Sequence, residues 1–231
     1  MAAADPTTNP RLAAALEAAD LGLRPIPVEP GGKRPLIPWK DYQHRAPTVD
    51  EIEGWWTRWP DANVAVLTGT PGGVLVIDLD AKDGRLPDWP TNGDTLPTGY
   101  VAETPSGGRH FACRHVPGVR NSAGILADGV DVRGAGGYFL IAPSAVDGRP
   151  YQVAQGSLAE ALEMDCPAGL QAYLVNVSPT DTRARQPAAP VAETIPEGRR
   201  NATLASLAGS MRRRGLDADT IAEALLTVNR R

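Results

Sequence analysis

Asp78 and Asp80 close the apolar run Val74-Leu75-Val76-Ile77 with one residue between them. A β-strand repeats every two residues, so both carboxylates fall on one face while Leu79 turns to the other. Oxygen ligands held that close together suit a hard divalent cation. A third carboxylate, Asp131, stands between Val130 and Val132 and faces away from both if that segment is a strand. Three such groups can hold two ions, Mg²⁺ or Mn²⁺, which activate an attacking oxygen and stabilise a leaving one in phosphoryl or nucleotidyl transfer.

A second constellation is Pro105-Ser106-Gly107-Gly108-Arg109-His110. Consecutive glycines let backbone N–H groups approach an anion, and Ser106, Arg109 and His110 add donors beside them. Arg133, two residues past Asp131, projects on the same strand face and can meet a phosphate. Plainer readings stand beside these: strand-end aspartates also form turns and caps, Ser-Gly-Gly is a common hairpin turn, and Arg133 can pair with one of the aspartates. Other chemistries lack their residues. The chain has no GxSxG, no HExxH, no Walker lysine motif, and no histidine pair split by one apolar residue.

The elements that must carry these groups follow from punctuation and period. Asn9-Pro10 opens a helix bearing Leu12, Leu16 and Ala19 as far as Gly22, and Arg24–Val28 reads as extended. Thr48 or Asp50 caps a helix over Glu51–Trp59 that docks Trp55 and Trp56 on a core. Asn63–Thr68 is a strand stopped by Gly69 and Pro71. The run from Val74 to Asp80 is the next, and the two are expected to be neighbours. Ala81–Thr98 is a loop; Tyr100–Glu103 and His110–Arg114 are strands. Gly129–Arg133 and Tyr138–Ala142 read as a β-hairpin about Gly134-Ala135-Gly136-Gly137, and helices over about 157–164 and 169–175 close the domain. Residues 178–197, rich in Pro, Ala and Thr, are a linker. Residues 198–231 then carry two helices, from Asn201 and from near Asp217, too few to bury their apolar faces. A segment cut from a longer protein is expected.

The length of 231 residues suits one domain of about 150–180 residues with an appendage. Apolar content of 42% excludes general disorder, and no run of 18 apolar residues or signal peptide is present, so no membrane partner and a cytoplasmic protein are expected. Two cysteines cannot form a zinc cluster, and no zinc is expected. A net charge of −4 argues against coating nucleic acid by bulk electrostatics. Residues 24–45 nonetheless hold five cations against two anions, and 196–231 seven against four.

In their order along the chain, GGKRPLIPW, NVAVLTG, VLVIDLD, TPSGGRHF and GVDVRGAGGYFLIAPS resemble the bifunctional primase–polymerase (prim-pol) domain of the archaeo-eukaryotic primase superfamily, found in phage, prophage and plasmid replication proteins. The resemblance runs over about residues 10–175. It implies an α+β fold in which a mixed α/β module packs on an RRM-like antiparallel sheet, with the active site in the cleft, and a domain division of 1–177, linker 178–197 and helical segment 198–231. It also implies that Asp78, Asp80 and Asp131 are the catalytic metal ligands for two Mg²⁺ or Mn²⁺. His110 would contact the incoming nucleotide's phosphates, flanked by Ser106, Gly107, Gly108 and Arg109, with Arg133 nearby. Lys33 and Arg34 are expected to grip DNA template phosphates. The implied function is a DNA primase and DNA polymerase acting on single-stranded template or primer-template with NTPs or dNTPs. Its setting would be a bacterial host cell, with a helicase domain downstream. The alternatives are a non-catalytic DNA-binding or helicase-recruiting module, and a DxD metal-dependent glycosyltransferase.

Overall fold

The computed structural model describes residues 9–90 and 95–177, and also Thr220, Ala222, Glu223 and Leu225. Contacts divide the chain into two compact units, Met1–Thr180 and Asp181–Arg231. The linker expected over 178–197 lies outside the described residues, as do the helix from Asn201 and most of the one from Asp217.

Helix α1 (Pro10–Asp20) begins where its cap residue demands. The Asn9 side-chain oxygen accepts from the N–H groups of Arg11 and Leu12, and Pro10 fills the first position, where no donor is needed. Leu12, Ala15 and Ala18 are its buried stripe. Helix α2 (Val49–Arg58) is opened by a capping box in which the Thr48 hydroxyl accepts from Glu51 N–H and the Glu51 carboxylate from Thr48 N–H. It buries Ile52 and Trp56, whose indole N–H donates to the Ala62 carbonyl at 3.0 Å.

Strands β1 (Pro25–Val28) and β2 (Asn63–Thr68) match their expected ranges closely, as do β3 (Val74–Leu79), β4 (Tyr100–Glu103) and β5 (Arg109–Arg114). The chain continues through β6 (Ser122–Ala127), β7 (Val130–Arg133), β8 (Gly137–Leu140), β9 (Ala145–Val146), β10 (Arg149–Pro150) and β11 (Gln152–Gly156) to helices α3 (Leu158–Glu163) and α4 (Ala168–Val177). The result is an α+β fold of antiparallel sheets. One has three strands in the order β1-β2-β8, another six in the order β11-β4-β5-β3-β7-β6, and β9 with β10 forms a small ribbon.

Two expected pairings are corrected. β2 and β3 are not sheet neighbours, and β7 and β8 are not a hairpin. In both cases the glycine-rich segment carries the chain from one sheet to the other, so β2 joins β8 while β3 joins β5 and β7. The two crossings lie side by side: the Thr68 hydroxyl donates to the Gly134 carbonyl at 2.8 Å, and a Cβ on Gly69 would collide with the Ala135 backbone. Gly69 also has a φ of +70°, which disfavours any other residue there.

Strand β3 explains how the site is made. Leu75, Ile77 and Leu79 pack on Leu170 and Leu174 of α4, while Val74 and Val76 pack on the opposite side with α1, α2, β2 and β8. The next residue on that second face is Asp78. Buried between apolar layers over most of its length, β3 thus delivers a carboxylate at the end of the inter-sheet core.

Candidate functional site

Sheet register assembles the centre. Asp78 pairs across β3 with His110 of β5 on one side and with Asp131 of β7 on the other, so the three side chains share one face in a row. Asp80, two residues on, lies just past the strand end. Oxygens of Asp78, Asp80 and Asp131 all come within 4.8 Å of one another. Asp78 is buried, Asp131 half-buried and Asp80 exposed.

The charges are arranged around Asp78. Arg133 donates to its Oδ2 from Nη2 at 2.8 Å and from Nε at 3.2 Å, and the same Nη2 reaches Asp131 Oδ2 at 2.9 Å. Burial alone would disfavour the guanidinium's charge, but its bonds to Asp78 and the surrounding carboxylates raise its pKa above the ordinary value. Asp131 Oδ1 accepts from the Gly124 N–H at 2.8 Å, which fixes that carboxylate from β6. Desolvation, with the negative charges of Asp78 and Asp131, pushes the Asp80 carboxyl up. His110 Nε2 stands 3.4 Å from Asp78 Oδ1, and burial lowers its pKa to about 4 despite that carboxylate, so the ring is neutral at pH 7. Phe139 meets it edge-on and Tyr151 lies tilted over it, both with ring centres at 5.6 Å.

Three features fit a hard divalent cation: an all-oxygen donor set, the upward pull on Asp80, and a buried Asp78 Oδ1 with no hydrogen-bond partner among the described residues. A cavity of about 210 Å³ opens onto Asp78, lined also by Lys33, His110, Asn121, Arg133 and Tyr138. A second hollow of about 730 Å³ opens beside Asp80, lined also by Lys82, Arg85 and Asp128.

The residues singled out in the sequence do not all converge. Asp78, Asp80, Asp131, His110 and Arg133 come together, and Lys33 joins them on the cavity wall. Arg34 instead pairs with Glu29 at 3.1 Å, its side chain 80% exposed. Arg109 is opposite Leu79 in the register and so takes the face away from His110, where it pairs with Glu103 at 3.0 Å. Gly107 has a φ of +86° and its N–H is committed to the Thr104 carbonyl. A Cβ on Gly108 would strike the Leu79 carbonyl, so this glycine lets the turn press against the end of β3 beside Ala81. The Ser106 hydroxyl shares a hydrogen bond with that of Thr104.

Asn121, Tyr138, Phe139, Tyr151 and Gly124 were not legible as site residues. Tyr138 and Phe139 reach the centre from β8, Asn121 and Gly124 from the start of β6, and Tyr151 from just ahead of β11, and the signal available was only the aromatic pair inside the apolar run Tyr138–Ile141.

Comparison with protein families gives two matches. Residues 15–170 match the Prim-Pol model, described as bifunctional DNA primase/polymerase, N-terminal, and residues 189–231 match Primase C terminal 1 (PriCT-1). A search of curated proteins finds no relative.

Proposed function

The chain belongs to the Prim-Pol family of bifunctional DNA primase/polymerase N-terminal domains, and from that premise we propose that this primase/polymerase-type replication protein is a template-dependent nucleotidyltransferase. The observation that carries the reading is the row of Asp131, Asp78 and His110 across three strands with Asp80 at its end.

Asp78, Asp80 and Asp131 would hold Mg²⁺ or Mn²⁺, two ions in the full reaction, which supply Lewis-acid activation of the 3′-hydroxyl and charge neutralisation of the triphosphate. The chain's own residues do the rest. Arg133 bridges Asp78 and Asp131 and holds the two carboxylates beside each other, and its guanidinium is available to a phosphate oxygen once the carboxylates are otherwise neutralised. Neutral His110, clamped by Phe139 and Tyr151, donates a hydrogen bond to a phosphate without adding charge. The Gly107-Gly108 turn beside Ala81 brings the Ser106 hydroxyl to the rim as a further donor. The incoming nucleotide takes the cavity beside Asp78, and the primer end the hollow beside Asp80, where Lys82 and Arg85 meet its phosphates. Base choice falls to template pairing. A phage, prophage or plasmid setting and a downstream helicase suit such a protein.

The test is incubation with single-stranded DNA, Mg²⁺ or Mn²⁺ and labelled nucleotides, with and without an annealed primer. Product in both reactions is the expected result, and product only with a primer restricts the activity to extension. DNA binding without any product would favour a non-catalytic module, and turnover of UDP-sugars without DNA a glycosyltransferase.

A further inference from the structure

The turn between β1 and the first tryptophan carries two adjacent cations, Lys33 and Arg34, that sequence alone treats alike. The fold separates them. Glu29 accepts from the Arg34 side chain at 3.1 Å and from its backbone N–H at 3.4 Å, so the arginine's charge is used within the turn. Lys33 has no ion pair among the described residues, and it lines the cavity that also holds Asp78, His110 and Arg133. Within that cavity Arg133 is already held by two carboxylates. The lysine is therefore the cation on that wall that a ligand meets without first displacing a carboxylate among the described residues.

Its backbone is also held in place from several directions. Asn63, fully buried, donates to the carbonyls of Gly32 at 3.0 Å and Ala145 at 2.7 Å and accepts from the Ala145 N–H at 3.0 Å. The Tyr138 hydroxyl donates to the Lys33 carbonyl at 3.0 Å, and the Tyr138 ring stands edge-on to Trp39 with centroids 5.4 Å apart. The Asn63 amide, its burial offset by these bonds, ties the turn to β9, and Tyr138 ties it to β8.

Resting on the nucleotidyl-transfer reading, we propose that Lys33 binds the phosphates of the incoming nucleoside triphosphate, not those of the DNA template. The lysine supplies a point charge on the wall of the cavity facing Asp78, the turn around Asn63 positions it, and Arg34 takes no part.

The test uses the full 231-residue chain. A fluorescent 2′-deoxyadenosine 5′-triphosphate analogue is titrated in Mg²⁺ buffer, and a single-stranded oligonucleotide is titrated over a salt series. The proteins are wild type, Lys33→Ala, Lys33→Arg and Arg34→Ala, each checked by thermal melting. Lys33→Ala should weaken the triphosphate by about tenfold or more, and the matching monophosphate less. Lys33→Arg should restore most of the loss, and Arg34→Ala should leave triphosphate affinity unchanged. Oligonucleotide affinity and its salt dependence should stay as in wild type for Lys33→Ala. The inference is overturned if Lys33→Ala lowers the oligonucleotide's salt slope by roughly 0.7 with triphosphate affinity intact, or if it changes neither. A wild-type chain that binds no triphosphate would overturn the nucleotidyl-transfer reading along with it.

Discussion

Asp78 is a residue that stability alone would not select. Its neighbours on the same strand face, Val74 and Val76, are apolar and fully buried, and Asp78 itself is only 5% exposed. A carboxylate taken that far from water costs several kcal/mol unless it is paired, and a valine there would extend the core. The pairing comes from Arg133, which also stands between Asp78 and Asp131 and offsets their repulsion. Arg133→Ala should therefore destabilise the protein by about 3 kcal/mol in metal-free buffer, as expected when one partner of a buried pair is removed. Millimolar Mn²⁺ should recover more stability in the variant than it adds to wild type, because the cation replaces the missing charge. Urea melts with and without metal measure both quantities, and identical curves for the two proteins would contradict the arrangement. The carboxylates were legible in the sequence because a strand's two-residue period fixes which side chains share a face. Phe139 and Tyr151, which clamp His110, were not, because nothing local says that β8 and the residue ahead of β11 approach β5.

Elements were easier to read than their partners. Helix α1 starts and stops at Asn9-Pro10 and Gly22, α2 at its Thr48–Glu51 box, and β2 through β5 at glycines and prolines, all of which are local signals. Pairing is not local. Two strands separated by glycines look the same whether the chain reverses into a hairpin or leaves for another sheet, and here both such segments leave. Strand β11 went unread for a different reason: Gln152–Gly156 is exposed along its whole length and its sequence carries little apolar alternation, so only the edge of β4 recruits it. The paired crossings make a prediction at this scale. Gly69 and Gly72 both have a φ of +70°, but only at Gly69 would a Cβ meet the other crossing, while Gly72 has open space. Gly72→Ala should cost about 1–2 kcal/mol for its left-handed backbone, whereas Gly69→Ala should cost more than about 4 kcal/mol or prevent folding. Equal costs in denaturant melts would mean that the crossings do not brace each other.

At the scale of the whole molecule, two antiparallel sheets enclose one apolar layer and leave a polar row at its end, and the family to which the chain belongs is one of primase–polymerase domains. The protein is acidic overall, with a net charge of −4, so attraction to a polyanion must come from local cations such as Lys82 and Arg85 around the hollow beside Asp80. Among the described residues no helix is long and apolar enough to cross a membrane. The central claim is that the three carboxylates form a metal-dependent nucleotidyl-transfer centre. Asp80 is the one to change, because it is exposed and its replacement should alter stability by no more than about 0.5 kcal/mol. The decisive measurement is the rate of labelled deoxynucleotide incorporation on a primed single-stranded DNA template in Mg²⁺ or Mn²⁺, for wild type and Asp80→Asn of equal melting behaviour. Incorporation by wild type that stops with a chelator and falls at least about a hundredfold in the variant is the predicted result. Incorporation at the wild-type rate by Asp80→Asn, or wild-type incorporation indifferent to the chelator, would contradict it.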